Sequence, residues 1–543
     1  MNKGSFLDAL SNEWISPRQL GLDSRQVEYL FAYLIGSDVG ARCMLTECHY
    51  VDADYLEDFA AFYVSSFPPY ERFCRRLHFF SEVFSSEEMD AILSGDHGGV
   101  GRLKRSYLGF VVARPLPEAV IGRTVLRRKR VDVGSHRYFP ATRMYSPNLF
   151  GIEMSLPSLA FEEQDTAVAA CATVALWSAF HKTYELFDSA LPRPAAITRA
   201  ANNSFSSGRA FPSGGLDGNQ IAEAIRWNRL EPEVYGIIAN TPFVSLVYAY
   251  VRAEIPVILS VYIEGDNGGY HAVTVVGYSY GDNIISNPEP PFEGVQSRPG
   301  RRIDRLIVHD DNVGPFAELK VEPISTIVED PLPEDVDPPV ALRYPSGSDT
   351  LALVSSEQSE HVAPESVAAR IPFGIHVPAC SEMRVTYVVM IGWLARLMDF
   401  FRYYRAGFAE FGINVDRIEW DLRLSRINDF KNGLRQSHWA NPEARKLVTE
   451  SLPRFLWLAT MYVGEEPIVD LIADVTDTVR SCPFLRTMWH HDVFKTFFQN
   501  LLDVKSVKEL WRLPLRPRFY DFLQTGKADH LREKEADELE PSD

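Results

Sequence analysis

Cysteine is scarce in this chain: six residues in 543 (Cys43, Cys48, Cys74, Cys171, Cys380 and Cys482), without regular spacing, so no disulfide framework is written into the sequence. The opening stretch, MNKGSFLDALSNEW, has neither the basic nor the apolar block of a secretory leader. Both observations fit a reducing, cytoplasmic setting. Long apolar runs are also missing. The two most apolar windows, TPFVSLVYAYVRAEIPVILSVYI and VTYVVMIGWLARLMDFF, are broken by Arg252, Glu254 and Arg396, which leaves no uncharged run of about eighteen residues and no expected membrane span. Basic charge is in deficit, 55 Lys and Arg against 73 Asp and Glu, a net −18 that repels phosphate backbones. No nucleic acid partner is expected. The local exception, Arg127, Arg128, Lys129 and Arg130 in LRRKR, reads as a solvated strand end or loop, or else as a seat for an acidic peptide or phosphate.

Phosphate-binding and dinucleotide-binding fingerprints are absent, as is any internal repeat of fixed period. The cysteine and histidine clusters CMLTECH (Cys43, Cys48, His49) and WHHD (His490, His491, Asp492) lack a partner pair at zinc-finger spacing. No metal and no cofactor is therefore expected.

What is present is ordinary globular composition, 46% hydrophobic and 24% charged, in a chain long enough for about three or four domains. Residues 1–150 mix helical stretches such as DSRQVEYLFAYLIG with the paired extended runs YLGFVVARP and IGRTVL, which reads as an N-terminal mixed α/β domain. Residues 151–325 place helices first (168–187 and DGNQIAEAIRWNRL) and strands afterwards (PVILSVYI, HAVTVVGYSY, RLIVHD), an α+β order. Residues 326–370 are rich in proline, acid and serine and read as a linker or long loop. Residues 371–525 return to helical periodicity and then to a hairpin around Gly464, a C-terminal mixed domain; the charged stretch 526–543 reads as a disordered tail.

Cys171 lies where a polar run, FEEQDT, gives way to an apolar helix, and a helix N-terminus favours negative charge on a thiol there. A lone cysteine in that setting is commonly core packing. His271 opens a strand after the glycine-rich GDNGG, where a base has a fixed rotamer and an open face. Asp310, Asp311 and Asn312 end the β-branched run RLIVHD, where a side-chain oxygen can accept from the second imidazole nitrogen; Asp310 comes first after the strand, with Asp311 and Asn312 as alternatives. The three signals reinforce one another in the order cysteine on a helix, histidine on a strand, acid at the end of the next strand.

This order resembles papain-like cysteine peptidases, and in particular their bacterial C39-like branch, over about a third of the chain. The matching residues are Gln164, Cys171, His271 in HAVTVVGY, and Asp310 in IVHDD, with GGLDGNQIAEAIRW similar to that branch's second helix. Gln164 stands seven residues before Cys171, and Asp165 holds the six-residue spacing usual in the family. The resemblance implies an α+β papain-like hydrolase domain at 151–325 flanked by mixed α/β domains. It implies a Cys171 nucleophile, a His271 base, an orienting Asp310 and Gln164 as oxyanion donor. A protein or peptide substrate follows, with the flanking domains as sites for a protein partner or as covers over the cleft. An acyltransferase, deamidase or isopeptidase would use the same residues, and a catalytically silent interaction module would keep only the fold.

Overall fold

A computed structural model of the chain describes residues 1–11, 20–130, 136–165, 167, 170–202, 215–238, 241–263, 269–281, 289, 291–323, 340–343, 369–478 and 482–528. Helix and strand are mixed throughout, in several sheets. The chain forms two units: Met1–Ala239 with Glu254–Gly281 and Asp304–Ala379, and Asn240–Ala253 with Asp282–Ile303 and Cys380–Asp543.

In the first unit, helix α1 (Arg25–Ile35) precedes an antiparallel sheet of β1 (Cys43–Tyr50), β2 (Cys74–Phe80), β3 (Tyr107–Ala113) and β4 (Ile121–Leu126), with α2 (Ala53–Ala61) between the first two strands. Strand β3 is buried at every position, which is why its sequence is continuously apolar rather than alternating. Gly109 is what lets β4 lie against it: φ is 118°, and a Cβ there would sit 2.1 Å from the Val125 carbonyl oxygen. Helices α3 (Cys171–Phe187), α4 (Pro194–Ala201) and α5 (Gly218–Trp227) follow.

A second sheet then collects β5 (Glu231–Gly236), β6 (Val257–Ile263), β7 (Gly269–Tyr280), β8 (Ile303–Asp310), β9 (Gly314–Pro323), β10 (Val340–Arg343) and β11 (Arg370–Ala379). Their order in space is β5, β11, β6, β7, β8, β9, β10, and Leu342 of β10 returns to pair with Arg370 of β11. Six strands thus close on themselves as a barrel-like ring, with β5 on the outside. Closure satisfies the strand edges that an open sheet would leave unpaired.

These units do not divide at residues 150 and 370. Tyr107, Phe110 and Val125 of the first sheet share one core with Ala172, Leu176 and Trp177 of α3 and with Ala272 of β7. Residues 1–150 are therefore part of the same folding unit as the cysteine-bearing helix. Within the stretch read as a linker, Val340–Arg343 is a strand and Arg370 opens another; most of the remainder lies outside the described residues. The tail reading also yields at its start, where Ala528 N–H donates to the Leu485 carbonyl at 3.0 Å, while 529–543 lie outside the described residues. The basic stretch after β4 is not an open patch: Lys129 pairs with Glu318 at 3.0 Å and Arg127 donates to the Tyr107 carbonyl at 2.9 Å.

In the second unit, α6 (Tyr387–Tyr403) leads to an antiparallel sheet of β12 (Ile418–Arg426), β13 (Phe455–Val463), β14 (Glu466–Asp474) and β15 (Phe484–Trp489). Gly464, at φ 64°, turns the expected hairpin between β13 and β14. His490 pairs with Asp470 at 3.0 Å, and His491 caps the helix Asp492–Asp503 through the Phe494 N–H, so each histidine of WHHD has a structural partner.

Among the described residues, no helix is long and apolar enough to cross a membrane.

Candidate active site

Cys171 is the first residue of α3, three positions later than the 168 start read from periodicity; Val168 itself lies outside the described residues. Ala170 occupies the N-cap and brings no side-chain cap, so the first-turn N–H groups keep their partial positive charge for whatever sits beside the sulfur. The helix is held rigidly. Ala172 through Thr183 are all buried, Ser178 donates to the Ala160 carbonyl at 2.7 Å, and Lys182 donates to the Thr142 carbonyl at 2.7 Å.

Strand β7 runs against this helix. Thr274, the one polar side chain in its apolar run, donates to the Ala175 carbonyl at 2.7 Å. That bond ties the helix one turn after Cys171 to the strand three residues after His271, fixing both at the point where they must meet. His271 is 6% exposed. Its Nε2 lies 2.9 Å from Asp310 Oδ1 and 3.6 Å from Asp311 Oδ1, and its side chain also hydrogen-bonds Cys171. With Nε2 directed at Asp310, Nδ1 is the ring nitrogen left for the thiol.

Asp310 ends β8 and is fully buried. Besides His271, it accepts from the Asn312 N–H at 2.9 Å on Oδ1 and from Arg370 Nε at 3.3 Å on Oδ2. The turn that presents it closes through Val313 N–H to the Asp310 carbonyl, at 2.9 Å. Gly314 follows at φ 154°, where a Cβ would lie 2.3 Å from the Tyr29 ring, so α1 packs directly on this turn. Tyr29 donates to the Pro315 carbonyl at 3.1 Å and Gln26 to the Asp311 carbonyl at 3.3 Å. Of the three candidates for the orienting group, Asp310 is the nearest to the imidazole, Asp311 stands behind it, and Asn312 contributes its backbone.

The electrostatics follow from burial and neighbours. Burial works against a charge on His271, yet the Asp310 and Asp311 carboxylates and the hydrogen bonds to Asp310 and Cys171 outweigh it and hold the imidazole well above its ordinary range. Burial pushes Asp311 up to about 6, with His271 and Arg370 pulling it down and Asp310 adding to the rise. Burial likewise pushes Glu163 up to about 8 against the pull of Arg114. Both carboxyls hold a proton more tightly folded than unfolded, so their contribution favours the fold at acid pH. It is lost as pH rises through about 6 for Asp311 and about 8 for Glu163. The thermal midpoint should fall across that window. Asp311→Asn should gain about 2–3 kcal/mol at alkaline pH and almost nothing at about pH 4, as read from urea melts at the two pH values.

Gln164 is half-buried, and its side-chain amide forms no hydrogen bond among the described residues, so its donors are uncommitted. Asp165, which holds the family's usual spacing, is engaged elsewhere: it is buried, accepts from the Ala167 N–H at 2.8 Å and hydrogen-bonds the Tyr63 hydroxyl.

Among the described residues, His271, Asp310 and Asp311 are also the group whose donor atoms lie close enough together, within 4.8 Å, to hold a metal ion. Arg370 on Asp310 and the charge-favouring imidazole already supply the positive charge there, so the set fits an internal ion-pair network better than a cation.

Two functional contacts escaped the sequence reading. Thr274 had a signal, as the lone polar residue of an apolar strand. Arg370 had little: one charge at the head of IPFGIHV, far along the chain from the residue it serves. Comparison with protein-family models gave no match to the chain, and comparison with curated proteins gave none either.

Proposed function

We propose that the chain is a thiol hydrolase of peptide or isopeptide bonds, acting through Cys171, His271 and Asp310. The observation that carries this reading is a buried histidine held at 2.9 Å by a buried carboxylate and also partnered by a cysteine at an uncapped helix start. A core histidine merely satisfied by its surroundings would need one partner; this one has an acid behind it and a nucleophile in front.

In this reading the Cys171 sulfur, having given its proton to His271, attacks a carbonyl carbon. The oxyanion that forms is met by first-turn N–H groups of α3 and by the Gln164 amide, each preorganised donor contributing about 2.7–4 kcal/mol to the transition state. His271 returns the proton to the leaving amine, and the C–N bond breaks. Water then adds to the thioester, giving its proton to His271, and the thiol leaves. Asp310 holds the ring and balances its charge throughout.

A cysteine helix packed on a closed antiparallel ring that supplies histidine and acid supports the papain-like arrangement and its C39-like form. The presence of residues between Tyr55 and Val125 in the same core argues for a structural share in the enzyme rather than a removable cover. Acyl transfer and deamidation would use the same chemistry with a different acceptor. To test the reading, the full chain is incubated with a library of peptide p-nitrophenyl esters and followed by intact mass. An acyl adduct on Cys171, absent in Cys171→Ala, is expected. No adduct with any peptide would favour a silent interaction module.

A further inference from the structure

Two adjacent carboxylates face one imidazole, and both are almost wholly removed from water. Like charges so placed cannot both ionise cheaply, and the site must select one. Selection matters, because only the carboxylate at hydrogen-bond distance can orient the ring.

We propose that Arg370 is a positioning residue of this site: its buried guanidinium on Asp310 Oδ2 makes Asp310, rather than Asp311, the carboxylate that ionises first opposite His271. The inference rests on the hydrolase reading and goes beyond it by adding a further residue, from a strand outside the 151–325 segment. Arg370 is 1% exposed, and its Nε lies 3.3 Å from Asp310 Oδ2. Asp311 Oδ2 is buried and finds no hydrogen-bond partner among the described residues, an arrangement a neutral carboxyl tolerates far better than an anion. The asymmetry is built into the strands. Register places Arg370 opposite Ile263 on one side and Leu342 on the other, at the seam where the ring closes, so its head group has little freedom to move to the second acid.

Several groups among the described residues face this pair. His271 comes from β7, Cys171 reaches the ring from α3, and Glu163 lies within electrostatic reach of Asp311 from the segment before α3. Tyr29, from α1, feels the Asp310 charge. Among these described groups, Arg370 is the cation besides the imidazole itself. Without it, Asp310 and Asp311 would share a proton, His271 would lose part of its counter-charge, and the sulfur would become harder to ionise.

The test measures the iodoacetamide alkylation rate of Cys171 in the full chain against pH, peptide by peptide so that the other cysteines do not interfere. In Arg370→Met the acid limb should move up by about one pH unit or more, since removal of a neighbouring opposite charge raises a carboxylate by about 1–3 units. Arg370→Lys should restore most of the wild-type profile. The diagnostic variant is Arg370→Met combined with Asp311→Asn: with the rival carboxyl gone, Asp310 can ionise again, and the limb should move back. A role confined to closing the ring would not be rescued that way. If Arg370→Met does not fold, Arg370→Gln and its Asp311→Asn combination carry the same comparison. Wild type and arginine variants with superimposable profiles would overturn the proposal while leaving the hydrolase reading intact. Wild-type labelling that is indifferent to His271→Ala would instead overturn the reading beneath it.

Discussion

Replacing His271 by alanine should slow alkylation of Cys171 at about pH 6 by about a hundredfold, while leaving labelling of the exposed Cys48 unchanged. The size comes from simple ionisation. A free thiol loses its proton near pH 8.5 and is almost wholly protonated at pH 6, whereas a thiol paired to an imidazolium reacts as the anion there. In this chain the imidazole is held well above its ordinary range, because two carboxylates and two hydrogen bonds outweigh the cost of its burial. It is therefore charged across the neutral range and available as the partner of a sulfur anion. Alanine removes the proton acceptor without touching the helix start, so a surviving fast reaction in His271→Ala would mean that the helix N-terminus alone activates the sulfur. A slow reaction in both proteins would mean that Cys171 is inert.

Asp310→Ala should be the most damaging single substitution at the site, for stability as well as for reactivity. It leaves Arg370 and His271 buried without their shared counter-ion, and breaking a buried pair from one side costs about 3–5 kcal/mol. The loss should appear as a lower urea midpoint with an unchanged slope. Its pH dependence has a definite sign. His271 has a raised folded-state pKa, so its stabilising contribution is complete below the unfolded value and disappears as pH rises through the folded one. The difference between wild type and Asp310→Ala should therefore narrow at strongly alkaline pH, without vanishing, because Arg370 stays charged. A uniform difference at all pH values would count against the His271–Asp310 pair as its source.

The residues that the fold brings together at the candidate site were legible in the sequence because each sits at a change of local pattern: Cys171 at a polar-to-apolar boundary, His271 after glycines, Asp310 at the end of a β-branched run. Such boundaries are set by short-range physics and survive in a single sequence. The hairpin at Gly464 and the strand pair β3 and β4 were legible for the same reason. What could not be read were long-range choices. Nothing local says that Arg370 crosses to Asp310, or that Val340–Arg343 becomes a strand inside a stretch rich in proline and acid. The separate N-terminal domain was inferred from mixed composition, yet apolar residues of β3 and β4 share one core with α3, an association that can be identified only in three dimensions.

Strand β11 lies between β5 and β6 in space although it follows both by a long interval in the chain. During synthesis, then, Cys171 and His271 leave the ribosome well before the strand that completes their surroundings. Until residue 379 has emerged, β6 has an open edge and Asp310 lacks the Arg370 guanidinium. Late arrival of one strand thus leaves the ring open until most of its sequence has been made, a non-local pairing of the kind that slows folding.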